Sequence, residues 1–390
     1  MSPAEAGAEA VAAAHAGDRT QQAPREQGLR TPERGGGGTG RRGPVRRGAL
    51  RSAVRAHLET WRPYTLAYPG LVGLGGAALN GGSVPGGAHG AAPVLVAWAA
   101  PTLGWLSGHY LGDWFDRRLD AVSKPQRPLP SGRLSPRTAL TCGVVCALAS
   151  TGAAAAVNWR AVLLVGIAML GIVAYSKVFK GRGLTGNAVR GSLTATTVLF
   201  GAMTVETLPS RHVLPFAVAF WFQDTASNLV GTLRDVDGDR AGGCRTVPVR
   251  HGVRVAVRAA ALLHAVALAV ALAALPLVPG DRGSSAVLLL CAVGCGTAAF
   301  LPLLRAAPGT LTPRRALRAH EILVTERMLL AGALLAGGWT LLPALAVVVP
   351  LSAVSLLAQA RMRARHEFPP AEDASARTPH DGTRGDVAPW

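Results

Sequence analysis

Three aspartates recur at helical spacing in the segment GDWFDRRLDAVSKPQRPLPSG, which starts at Gly112 and directly follows a long apolar tract. On an α-helix, Asp113, Asp116 and Asp120 occupy positions i, i+3 and i+7, so they fall within an arc of roughly 60° at ~100° per residue. His109 lies four residues before Asp113 and falls on the same stripe. The pattern predicts an acidic stripe at one end of a membrane helix, where carboxylates need a partner.

A second acidic segment, FQDTASNLVGTLRDVDGDRAGGCRTVPVRHG, lies at the end of another apolar tract. If one helix runs through this segment, Asp224, Asn228, Asp235 and Asp239 share an arc of roughly 60°, and Asp237 points away. Two acidic stripes that face one cavity would repel each other, so divalent cations are expected between them. Magnesium is the predicted ion because it takes one or two carboxylates together with phosphate oxygens and water.

Basic residues lie in the same loops as the acids and could hold an anionic group that the metal bridges to the aspartates. They are Arg127, Lys177, Lys180, Arg182 and Arg245. The ligand that this chemistry indicates is a diphosphate on an apolar chain, with its head at the mouth of the cavity and its tail among the helices.

The elements that must position these residues are apolar tracts. Of the 390 residues, 49% are apolar and only 16% are charged, whereas a soluble domain carries about 25% charged residues. Ten tracts are roughly as long as the ~17 to 25 residues that cross a bilayer as a helix. They run over residues 63–80, 93–112, 137–157, 161–176, 186–205, 213–233, 253–278, 286–304, 322–338 and 341–357. Only Trp339 to Pro343 separates the last two, so a single bent helix there would give nine. The predicted fold is an all-α, polytopic membrane bundle of nine to ten transmembrane helices around a central cavity.

The distribution of basic residues predicts the topology. With the N-terminus in the cytoplasm, all of the 40 Lys and Arg residues except Arg160, Arg211 and Arg282 fall on the cytoplasmic side, as the positive-inside rule requires. We therefore expect a multi-pass protein of the cell membrane whose N-terminus and active site are cytoplasmic.

Four motifs carry a resemblance to a known family. DWFDRRLDAVSKPQRPLPSGRLS and RDVDGDRAGGCRTVPVRHG resemble the two Asp-rich motifs of the UbiA superfamily of intramembrane prenyltransferases. WRPYT resembles the start of the family's first helix, and YSKVFKGRGLTGN resembles its Tyr and Lys loop between helices four and five. The resemblance covers roughly Trp61 to Leu357 and implies a nine-helix bundle around a cavity open to lipid.

The resemblance implies a role for each matching residue. Magnesium, and through it the prenyl diphosphate, would be bound by Asp113, Asp116, Asp120, Asp235 and Asp239, of which Asp116, Asp120, Asp235 and Asp239 are the predicted catalytic residues. The predicted substrate-binding residues are His109, Arg127, Lys177, Lys180, Arg182, Asn228 and Arg245. The chain departs from the family at Gly112 and His109, where asparagine is usual or frequent, and at Asn228, where an acid is common.

The predicted organisation has three parts. Residues 1–56 form a disordered basic arm, residues 57–360 a UbiA-like transmembrane domain, and residues 361–390 a disordered tail. A basic arm of this kind is attracted to anionic lipid head groups, so the expected macromolecular partner is the bilayer and not nucleic acid.

The function predicted first is that of a magnesium-dependent prenyltransferase, of the EC 2.5.1 type. It would move a prenyl group from a prenyl diphosphate to an aromatic or quinone-like acceptor. An alternative is terpene cyclisation of the same diphosphate, which Gly112 and Asn228 leave open; a hydrocarbon or terpene alcohol formed without an acceptor would favour it. A third hypothesis, from another class, is a transporter, because intramembrane acids also mark ion paths.

Overall fold

The computed structural model describes residues 44–82, 90–307 and 309–367. The chain divides into two units, Met1–Arg51 and Ser52–Trp390, and the cavity described below belongs to the second. Residues 1–43 of the predicted arm and 368–390 of the predicted tail lie outside the described residues.

Helices make up the fold, and the described residues contain no strand. In chain order they are α1 (Pro44–Trp61), α2 (Pro63–Leu79), α3 (Ala91–Ser123), α4 (Pro136–Val157), α5 (Ala161–Ala174), α6 (Leu184–Val205), α7 (Leu214–Thr232), α8 (Val236–Ala241), α9 (Val247–His251), α10 (Val253–Ala274), α11 (Arg282–Arg305), α12 (Pro313–Trp339), α13 (Leu341–Ala358) and α14 (Ala364–Glu367). A π-helical turn, Tyr175–Phe179, extends α5, a 3₁₀ turn, Leu275–Leu277, extends α10, and a second π-helical turn, Gln359–Arg363, extends α13.

Each of the ten predicted apolar tracts falls in a helix of its own among α2–α7 and α10–α13. The all-α membrane fold is therefore confirmed. Within the described residues, six helices are long and apolar enough to cross a membrane: α4, α5, α10, α11, α12 and α13, counted with the turns that extend them. The total of nine to ten transmembrane helices stays a prediction.

The boundary between α12 and α13 excludes one of the two alternatives at the end of the chain. Thr340 has a φ of 76°, a left-handed conformation that an α-helix does not contain. The two segments are therefore separate helices and not one bent helix. Helix α1 covers residues 44–56 of the predicted arm, and the helical turns up to Glu367 cover the start of the predicted tail. The division of the chain into three parts stays a prediction.

Helix α2 is buried along nearly its whole length, and glycines allow its neighbours to approach. A Cβ on Gly73 would lie 2.0 Å from the carbonyl oxygen of Ala97 in α3, and one on Gly76 would lie 2.1 Å from that of Val198 in α6. Small residues let helix backbones pack closely in membranes. In contrast, apolar side chains such as Leu163 and Leu170 are mostly exposed, as expected of positions that face lipid.

Three departures from regular helix bring side chains to one end of the bundle. Helix α7 ends at Thr232, and the chain turns before the short helix α8 begins. The π-helical turn after α5 leads directly into Lys180. The π-helical turn after α13 ends at Arg363 and is followed by α14. The cavity of the candidate site is lined from all three places.

Candidate active site

A cavity of about 310 Å³ gathers the charged residues of both acidic motifs. Its acidic lining consists of Asp113, Asp116, Asp120, Asp235, Asp239 and Glu367, and its basic lining of Arg62, Lys124, Arg127, Lys180, Arg190, Arg234 and Arg363. The structure thus brings together the five aspartates that the sequence singled out as metal ligands.

The first motif lies on α3, and each of its aspartates contacts a basic side chain. Asp113 is paired with Arg62, the residue that precedes α2. The Lys180 Nζ lies 2.5 Å from an Asp116 carboxylate oxygen. Arg127 donates to both oxygens of Asp120, with the shorter contact at 2.9 Å.

The second motif lies on a turn and on α8. The carboxylate of Asp235 accepts from Lys124 at 3.2 Å and from Arg234 at 2.9 Å. Asp239 follows one helical turn later, and its backbone N–H donates to the carbonyl of Asp235. Burial, together with the nearby charge of Asp235, raises the pKa of Asp239 to about 6. Asp237 is 91% exposed and pairs with Arg240, so it points away from the cavity as predicted.

The helix continuity assumed for the second stripe was wrong, and Asp224 shows the consequence. Because α7 ends at Thr232, Asp224 and Asp235 are not on one helix. Asp224 is buried inside the bundle, where it pairs with Arg327 and accepts a 2.8 Å hydrogen bond from the Thr194 hydroxyl. It does not line the cavity.

The predicted substrate-binding residues fall into two groups. His109, Arg127, Lys180 and Asn228 line the cavity, whereas Lys177, Arg182 and Arg245 do not. These last three side chains are exposed. The Lys177 ammonium lies 5.4 Å from the centre of the Phe115 ring, and neither residue lines the cavity.

The positions where the chain departs from the family that it resembles have distinct surroundings. His109 is buried, and its Nδ1 donates to the carbonyl oxygen of Trp61 at 2.9 Å. The Asn228 amide donates to Asn187 at 3.2 Å. A Cβ built on Gly112 would meet nothing within 4 Å, so this position adds open space to the cavity.

Several lining residues were missed by the sequence reasoning. Lys124 and Arg234 lie within the acidic motifs themselves, so their position beside Asp120 and Asp235 was an available signal. Arg62 belongs to the WRPYT motif. Arg363 and Glu367 had no such signal, because they fall in a segment assigned to a disordered tail.

Carboxylate oxygens are suitable ligands for a hard divalent cation such as Mg²⁺, although the aspartates do not form a preassembled coordination site. The Oδ2 atom of Asp113 is buried and accepts no hydrogen bond, so it is available to coordinate a metal ion. Within the part of the chain that the structure describes, no three acid, histidine or cysteine side chains converge as a metal site. The expectation that only divalent ions could separate the two acidic stripes is therefore corrected: basic side chains neutralise four of the five aspartates.

An apolar groove adjoins the charged cavity. Trp105, Ile172 and Leu193 line both, and the groove continues along Met169 and Phe200. A ligand with a charged head and an apolar chain could place its head in the charged cavity and its chain in the apolar groove.

Comparison with known proteins identifies the fold and the family. The model of the UbiA prenyltransferase family matches residues 66–308. The chain is 34% identical to digeranylgeranylglyceryl phosphate synthase of Natronomonas pharaonis over 246 residues, which cover 63% of this chain and 86% of the relative. It is also 34% identical to the protein of that name from Methanopyrus kandleri, over 53% of this chain and 73% of the relative.

Solved structures share the architecture. One concerns digeranylgeranylglyceryl phosphate synthase in membranes, with a TM-score of 0.56 at 19% identity, and covers 73% of this chain and 98% of its own. Another is a UbiA homologue from Archaeoglobus fulgidus bound to DMAPP and Mg²⁺, with a TM-score of 0.55 at 14% identity, over 78% of this chain and 99% of its own. With the family match over more than half of the sequence, the chain belongs to the UbiA prenyltransferase family and is a membrane-embedded prenyltransferase.

Proposed function

We propose that this protein transfers a prenyl group from a prenyl diphosphate to a hydroxyl of a glycerophosphate-type lipid, with Mg²⁺ as cofactor. The name shared by the similar relatives describes a glyceryl phosphate that carries two prenyl groups. This acceptor replaces the aromatic or quinone-like molecule expected from the sequence, which the relatives do not support.

One observation carries the proposal: the five aspartates of both motifs and a set of basic side chains line a single cavity that adjoins an apolar groove. A prenyl diphosphate needs charged surroundings at its diphosphate and apolar surroundings along its prenyl chain. The distribution of basic residues favours a mouth on the cytoplasmic side, where soluble prenyl diphosphates and Mg²⁺ are available.

The metal would be held by Asp113, Asp116, Asp120, Asp235 and Asp239. When bound, Mg²⁺ neutralises charge that develops on the leaving diphosphate. The basic side chains that now pair with these acids would then be released toward phosphate oxygens. Lys180 and Arg127 are suited to this exchange, since each holds a motif carboxylate at the cavity wall.

The reaction breaks the bond between the first prenyl carbon and the diphosphate oxygen, whose electron pair leaves with the diphosphate. The oxygen of the acceptor hydroxyl forms the new carbon–oxygen bond, and the hydroxyl proton passes to the departing diphosphate. Fixed cations around the leaving group provide electrostatic stabilisation, the contribution that is usually largest in such reactions. Tyr175 lines the cavity and can stabilise positive charge on the allylic carbons through its ring face, whereas the Arg190 guanidinium lies over the Trp105 ring, 4.1 Å from its centre.

The test is product analysis with the purified full chain in lipid nanodiscs. The protein would be incubated with geranylgeranyl diphosphate and a prenylated glycerol phosphate, with Mg²⁺ or with excess chelator. We expect a doubly prenylated glycerol phosphate only when Mg²⁺ is present. A hydrocarbon or terpene alcohol from the diphosphate alone would favour cyclisation instead, and uptake into sealed vesicles without product would favour a transporter.

A further inference from the structure

One wall of the cavity is built from the end of α13, beyond the family-matched region, and it carries a buried guanidinium. Arg363 is only 2% exposed and lines the cavity. Its Nη1 donates to the Gln359 amide oxygen at 2.9 Å, and its Nη2 lies 2.9 Å from His320 Nδ1. Both partners are uncharged, since a histidine that accepts at Nδ1 is neutral.

This guanidinium lacks a direct counter-ion within the described chain. None of the carboxylates there lies within ion-pair distance of Arg363, and its buried Nε has no hydrogen-bond acceptor. A buried charge without an opposite charge is strongly unfavourable. Such an arrangement indicates that an anion completes the site.

A second donor on the same wall also lacks an acceptor. The Tyr64 hydroxyl is buried without a hydrogen-bond partner, and the Arg363 guanidinium lies 5.3 Å from the centre of the Tyr64 ring. His320, which also lines the cavity, completes the group. Together they offer donors for the oxygens of one anion.

The neighbouring residue Glu367 shows that this part of the cavity accommodates negative charge. Its carboxylate lies 3.1 Å from Lys124, 3.3 Å from Arg234 and 3.6 Å from Arg127. Arg363 is different from these cations, because Lys124, Arg127 and Arg234 each also contact an aspartate of the acidic motifs and Arg363 does not.

We propose that Arg363, Tyr64 and His320 form a subsite for the phosphate of the acceptor lipid, separate from the aspartate and magnesium site for the diphosphate. The proposal rests on the proposed function, because it assigns the headgroup of that acceptor. Arg363 would bind the phosphate as a charged donor, and the Tyr64 hydroxyl would add a hydrogen bond. The Glu367 carboxylate, one turn after Arg363, would repel the phosphate and compete for the neighbouring cations.

The experiment measures the KM of each substrate separately for the full chain in nanodiscs. Arg363→Met should raise the KM for the prenylated glycerol phosphate about tenfold or more, as expected for loss of a charge-assisted hydrogen bond. The KM for the prenyl diphosphate should stay within about twofold. The matched control is Arg361→Met, which removes an exposed arginine from the same π-helical turn and should leave both constants unchanged.

Two further arms separate a binding role from a structural one. With the prenylated glycerol that lacks the phosphate, Arg363→Met and the wild type should have the same KM. If Arg363→Met does not fold, Tyr64→Phe and Arg363→Lys replace it, and each should raise the KM for the phosphorylated acceptor a few-fold. Glu367→Gln should lower that KM.

The outcomes also distinguish this subsite from the proposed function. If the wild type prenylates no glycerol phosphate, the proposed function fails. The subsite alone is wrong if the wild type is active but Arg363→Met and Tyr64→Phe leave the KM for the phosphorylated acceptor unchanged. It is also wrong if these variants raise the KM for the phosphate-free acceptor by the same factor.

Discussion

Two groups of opposite charges lie in this molecule, one at the cavity and one inside the bundle. At the cavity, the Asp116 and Lys180 side chains are 18% and 34% exposed. Inside, the Asp224 and Arg327 side chains are 2% and 7% exposed, and Glu326 pairs with Gln223, which in turn accepts from His264 at 2.7 Å.

The difference concerns whether a partner can be exchanged. A cavity carboxylate that gives up its lysine can turn to a metal ion, while the lysine turns to phosphate. A buried carboxylate that loses its arginine has no replacement and leaves an uncompensated charge. We therefore propose that residues of the same types bind ligands at the cavity and stabilise packing inside the bundle.

The largest expected effect comes from removing a cavity carboxylate. Asp116→Ala and Asp235→Ala should each lower kcat about 10²–10³-fold, the loss typical when one electrostatic contact to a developing charge is removed. Product formation in nanodiscs is the readout. Asp237→Ala is the matched control, since Asp237 lies in the same motif but is exposed; equal losses in Asp237→Ala and Asp235→Ala would contradict the assignment.

Replacing Arg327 tests the interior group. Arg327→Met should lower the free energy of unfolding by about 3–5 kcal/mol, because Asp224 is left buried and unpaired. The double variant Asp224→Leu with Arg327→Met should regain much of this loss. Thermal unfolding in detergent, compared with the wild type, checks both. If Arg327→Met alone leaves the free energy of unfolding unchanged, the Asp224–Arg327 pair does not stabilise the bundle.

A smaller effect is expected at Lys180. Lys180→Met should raise the KM for the prenyl diphosphate about tenfold, because a charge-assisted contact to phosphate is lost. Lys177→Met is the control, as this neighbouring lysine is exposed and lies outside the cavity. An effect of Lys177→Met as large as that of Lys180→Met would support the prediction from the sequence that both lysines bind the substrate, and would contradict the distinction drawn from the cavity lining.

The smallest effect is a dependence of Mg²⁺ binding on pH. Because burial and Asp235 raise the pKa of Asp239 to about 6, a proton competes with the metal for this carboxylate below that pH. Mg²⁺ affinity should be constant above about pH 6 and fall as the pH decreases through it, up to about tenfold per unit for one displaced proton. Calorimetric titration at several pH values measures this. Asp239→Asn should remove the dependence, and a wild-type affinity that is flat down to pH 5 would contradict it.

The sequence predicted the fold well because lipid imposes a simple rule. Apolar tracts long enough to span become helices, and all ten tracts lie in separate helices. Of the aspartates, Asp113, Asp116 and Asp120 were placed correctly because α3 continues without interruption through them.

Local breaks and long-range packing limited the rest. The helical periodicity of the sequence does not reveal that α7 ends at Thr232. Asp224 was therefore grouped with the cavity residues, although it pairs with Arg327 inside the bundle. Arg363 and Glu367 were missed because their role depends on α13 returning the chain to the cavity. Such a return depends on tertiary packing, which no spacing of residues reveals.

The decisive measurement is a structure of the full chain with Mg²⁺ and a non-hydrolysable prenyl diphosphate. We expect Asp116 and at least one of Asp235 and Asp239 to coordinate ions that share the diphosphate, and Lys180 to leave Asp116 for a phosphate oxygen. A diphosphate bound elsewhere, with the Lys180–Asp116 pair intact, would contradict it.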